Sequence, residues 1–126
     1  MKTLKKEIDK WVSYYKKKFS LQEWEIEVKY VKEVGEGSKS PGAISSRPEY
    51  RRAELYLVLN SFKNKGLVRQ VVKHELLHLF HADLDKLIER LLDELPEDLH
   101  EVGTTYWNFS RDLSERLVTK IERVVD

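Results

Sequence analysis

The 126-residue sequence has no cysteine, only three prolines and only five glycines. Without cysteine there is no disulfide scaffold, thiolate zinc site, iron–sulfur cluster or cysteine nucleophile. Any metal would have to be held by nitrogen and oxygen. No uninterrupted apolar run approaches the ~20 residues that span a bilayer, so no membrane is expected as a partner. The opening stretch MKTLKKEIDKWVSYYKKKF is charged throughout and lacks the apolar block of a signal peptide. The cytoplasm is therefore the expected compartment.

Hydrophobic residues make up 40% of the chain and charged residues 36%, enough apolar content for one core and too much for a disordered chain. A single domain over residues 1–126 is expected. The net charge of +1 conceals a split. Residues 1–66 carry 15 Lys/Arg against 9 Asp/Glu, whereas residues 67–126 carry 8 against 13. A basic half can serve an anionic partner, but solvated surface explains it as well. Lys16, Lys17 and Lys18 suit the negative end of a helix dipole without any partner.

Leu4, Ile8, Trp11, Val12, Tyr15 and Phe19 recur at helical spacing, with Thr3 placed as a cap. Trp24 to Tyr30 alternates as a half-buried strand does. Residues 33–42 hold three of the five glycines and form a loop. Short strands are expected over 43–47 and 50–59, the second with Ala53, Leu55, Leu57 and Leu59 on one face. Helices are expected over 67–82, 84–95 and 105–125. The last should bury Tyr106, Phe109, Leu113, Leu117, Ile121 and Val124. This order, one helix, a three-stranded sheet and three helices, reads as α+β.

Chemistry concentrates at His74-Glu75-Leu76-Leu77-His78, an HExxH string inside an expected helix. Positions i and i+4 share a helix face, so the two imidazoles can converge on one ion. Glu75 projects to the side, where it can reach a water held at that ion and act as general base. Shuffling this composition would produce HExxH in roughly one sequence in a hundred, so the string alone is weak. Its apolar flanks, Val71, Val72, Leu76 and Leu79, suit a helix that is itself buried. Two histidines lining an ordinary helix surface are the bland alternative.

A third ligand must come from elsewhere. His81 lies one turn on, but about 7 to 8 Å along the axis from an ion midway between His74 and His78. A rim or substrate-pocket role suits His81 better. The metzincin pattern fails because positions 81 and 84 are His and Leu. Asp83 and Asp85 can orient a ligating imidazole or cap the helix that follows, the cap suiting Asp83 better, and Asp85 stays open as a third ligand. His100 precedes an expected turn at Gly103. Glu115 and Glu122 both lie at the margin of the last helix's apolar stripe, and periodicity does not separate them.

The segments VVKHELLHL (71–79), YRRAELYLVL (50–59) and SERLVTKIERVV (114–125) resemble the minimal zincin metallopeptidases, the minigluzincins and similar small phage-type HExxH proteins. The likeness follows the order of elements along most of the chain, and only HELLH is a specific motif. It implies a zincin-like α+β fold: an N-terminal helix, a small twisted three-stranded sheet, the HExxH helix and two further helices. It also implies Zn2+ bound by His74, His78 and Glu115, with Thr119 facing the same region. The strand Tyr50 to Leu59 would form the cleft rim and pair with extended substrate, placing Tyr56 beside it. A weaker resemblance to SprT-like zincins would make His100 the third ligand.

The expected function is therefore zinc-dependent hydrolysis of peptide bonds, a metalloendopeptidase of gluzincin type acting on a peptide or protein. Candidate oxyanion donors are His81, His100 and Tyr106. The alternative is a zincin scaffold with little or no catalysis that docks to a protein or nucleic acid, nucleic acid being the less favoured partner.

Overall fold

The computed structural model describes residues 2–125. Its order is α1 (Lys2–Lys18), β1 (Glu25–Tyr30), β2 (Gly42–Arg47), β3 (Arg52–Leu57), α2 (Lys65–Phe80), α3 (Ala82–Asp93) and α4 (His100–Val124). The mixed α+β composition agrees with the pattern reading. The chain divides into two compact units, residues 1–80 and 81–126. Among the described residues, no helix is long and apolar enough to cross a membrane.

In the first unit, α1 buries Ile8 and Tyr15, one heptad apart on the same face. Tyr15 stacks between Trp11 and Phe19, with ring centroids 5.9 and 5.3 Å away. Its hydroxyl accepts a hydrogen bond from Arg69 Nε on α2 at 2.9 Å, so the buried ring keeps a partner for its polar tip. Thr3 lies inside α1 rather than at its cap.

The sheet order is β1-β3-β2, with β3 parallel to β1 and antiparallel to β2. Ala53, Leu55 and Leu57 are buried from one face of β3, while Glu54 and Tyr56 project from the other. The expectation that this strand forms the cleft rim is overturned. β3 is the central strand, both of its edges are paired, and no backbone edge remains for a peptide. Its alternation reports a buried face, which a central and an edge strand share; alternation carries no information about neighbours.

β2 packs against α2 through Gly42. A Cβ there would lie 3.0 Å from both Leu57 Cδ2 and Val71 Cγ1, and 3.2 Å from the Tyr56 carbonyl oxygen. Only glycine allows so close an approach without displacing the neighbours.

The second unit pairs α3 with α4. His81 lies level with Ser114 and Leu92 with Gly103, so the two helices run antiparallel. The expected burial of α4 is reversed. Tyr106, Phe109, Leu113, Leu117 and Val124 are exposed, Ile121 is half-buried, and the buried line is Gly103, Ser114 and Val118. The side of α4 that meets α3 carries Gly103 and Ser114, and the large apolar side chains lie elsewhere on the helix.

Candidate metal centre

Asn64 starts the helix that carries the HExxH residues, its Oδ1 accepting the Leu67 backbone N–H at 3.0 Å. Val68, Val71, Val72, Leu76, Leu77 and Leu79 then bury α2 on more than one side. Such burial fixes the helix, and therefore the directions in which His74, Glu75 and His78 leave it.

His74 and His78 are half-buried and share one face. Their ring centroids lie 5.1 Å apart, with the planes at 75°. A ring nitrogen of each lies within 4.8 Å of the other's. Zinc–imidazole bonds of about 2.0–2.1 Å at near-tetrahedral angles need donor nitrogens about 3.3 Å apart, which is within reach of small side-chain rotations from this spacing. Glu75, one position from His74, is buried. The pair therefore suits an ion that accepts nitrogen ligands.

No family model, curated protein or solved structure matches the chain. The reading of this centre consequently rests on its own residues.

The remaining candidates fall in several places. His81 precedes α3 in the second unit. Its Nδ1 lies 3.0 Å from Asp85 Oδ2, and its Nε2 is 3.5 Å from Ser114 Oγ. With the carboxylate accepting from Nδ1–H, Nε2 is left as an acceptor in the neutral ring. The imidazole that Asp85 meets at this distance is that of His81 rather than that of a proposed ligand. Asp83 lies in the first turn of α3 rather than at its cap.

His100 Nε2 lies 2.9 Å from the Leu95 carbonyl oxygen, so this nitrogen donates to backbone at the start of α4. Glu115 is exposed on α4 immediately after buried Ser114; Thr119 and Glu122 are half-buried further along. Tyr106 is exposed on the same helix.

Tyr56 has a different environment from the one expected. Its hydroxyl donates to Glu54 Oε2, and the same oxygen lies 3.0 Å from Lys29 Nζ. These contacts shift all three groups. The Tyr56 hydroxyl, then Lys29, hold the Glu54 carboxyl below its ordinary range. The bond to Glu54 raises both Tyr56 and Lys29. Pattern reading missed this triad because its members come from two strands whose pairing the sequence does not state. It also missed the approach of Ser114 to His81 across 33 residues, whereas the His81–Asp85 pair has legible i,i+4 spacing.

Proposed function

We propose that the chain is a zinc-dependent metallopeptidase in which His74 and His78 supply two imidazole ligands and Glu115 the third, a carboxylate. The observation that carries this reading is the His74–His78 pair, two rings 5.1 Å apart on a buried helix with Glu75 between them in sequence. Bound zinc would supply an electrophile that polarises a carbonyl and brings a water's pKa towards neutrality. Glu75 accepts the proton of the attacking water and returns it to the leaving amine.

In this reading substrate meets β2, an edge strand of the sheet that packs beside α2. An extended peptide would add to its free edge through backbone hydrogen bonds.

The deciding experiment compares wild type with Glu75→Gln, both loaded with one zinc, on a mixture of unfolded protein substrates. Cleavage by wild type and a loss of about a thousandfold in the variant, with zinc retained, is the expected outcome. Undiminished cleavage by Glu75→Gln would overturn the mechanism. A zinc-loaded wild type that cleaves nothing would leave a metal-binding scaffold and overturn the peptidase reading.

A further inference from the structure

The α3–α4 hairpin leaves a broad apolar face uncovered. Leu84, Leu87 and Leu91 on α3 are 57, 52 and 57% exposed, and Tyr106, Phe109 and Leu113 on α4 are 63, 62 and 44% exposed. Both sets follow i, i+3, i+7 spacing, so each forms a stripe. Each stripe lies a quarter to a third of a turn around its helix from the line of contact. Because the helices run antiparallel, those rotations lead to one shared face. Together these side chains expose on the order of several hundred Å2, the patch size at which a soluble protein marks an interaction site.

Charge identifies the occupant. Residues 81–126 carry six Lys/Arg against twelve Asp/Glu, which disfavours an anionic membrane or a nucleic acid at this face. The outer edge of the α4 stripe is acidic early, at Glu101, and basic later, at Arg116, which also pairs with Asp112 at 3.0 Å. An edge with acid at one end and base towards the other is complementary to itself when reversed. If two copies of α4 cross antiparallel about Phe109, Glu101 of each comes level with Arg116 of the other, twice by symmetry. The leucines of α3 then meet their counterparts beside that contact.

From this we infer that the chain forms a two-fold symmetric dimer through the α3–α4 face, the two hairpins packing as a four-helix bundle. Glu115 follows Leu113 by two residues, about 160° around α4, so the dimer leaves that side of the helix free. The inference does not depend on metal or on catalysis.

The test is sedimentation equilibrium of the zinc-free full chain over a concentration series reaching about 100 µM. Wild type is expected to dimerise reversibly. Phe109→Asp should weaken the dimer at least ~30-fold while leaving the circular dichroism spectrum unchanged. Glu101→Arg and Arg116→Glu should each weaken it roughly five- to tenfold, and the two together should restore it. A monomer at every concentration overturns the inference, as does a dimer indifferent to Phe109→Asp. Failure of the double reversal to restore association overturns the antiparallel register. A monomer that floats with anionic vesicles would show that the face serves a membrane instead.

Discussion

The imidazoles of His74 and His78 stand 5.1 Å apart on α2, with their planes at 75°. An ion bound by both rings takes the nitrogen lone pairs that protons would otherwise occupy, so metal and proton compete for the pair.

The proposed zinc site makes the first prediction. Tag-free protein should bind one zinc per chain, read by native mass spectrometry and by competition with a chelating dye. His74→Ala and His78→Ala should each reduce affinity by more than about a hundredfold, and Glu115→Ala by about ten- to a hundredfold. An unchanged affinity in Glu115→Ala would remove that residue from the ligand set.

Glycine positions should differ in sign. At Gly42 an added methyl meets Leu57, Val71 and a backbone oxygen at 3.0–3.2 Å, so Gly42→Ala should destabilise by about 1–3 kcal/mol. At Gly103 the obstacle is the tip of the Leu95 side chain, which can turn away, and helix propensity gains up to about 1 kcal/mol. Gly103→Ala should therefore be neutral or mildly stabilising. Urea denaturation midpoints of the two variants decide the comparison.

The burial of α4 predicts a further contrast. Val118 is fully buried, and Val118→Ala should cost about 1–2 kcal/mol. Val124 is 82% exposed, and Val124→Ala should stay within about 0.5 kcal/mol. Equal costs would mean that the original stripe, and not the small-residue line, faces the core.

Acid should weaken the sheet through Glu54. Its folded-state pKa lies below the ordinary carboxylate value because Tyr56 and then Lys29 favour the ionised form. Its contribution is therefore present above the unfolded pKa and lost as pH falls through the folded one. At alkaline pH the raised Tyr56 and Lys29 act in the opposite sense, stabilising below their unfolded values and losing that effect as pH rises through the folded ones. Glu54→Gln should melt below wild type at pH 7, and the gap should narrow as pH falls below about 4, the ordinary carboxylate range. A gap that stays constant from pH 7 to pH 3 would exclude this linkage.

Local spacing in the sequence determined much of this protein. Period-two alternation placed β1 and β3, the apolar recurrence from Leu4 to Phe19 placed α1, and HExxH set two imidazoles and a carboxylate on α2. Those features depend on residues within one or two turns of each other, so the chain alone specifies them. Three outcomes depended on tertiary structure. The central position of β3 follows from which strands pair with it, and alternation is identical at edge and centre. The outward turn of Tyr106, Phe109 and Leu113 follows from which side of α4 meets α3, the side of Gly103 and Ser114, and hydrophobicity counting does not read that choice. The commitment of Tyr56 to Glu54 and Lys29 follows from register between β1 and β3, which brings side chains 25 and more residues apart onto one patch.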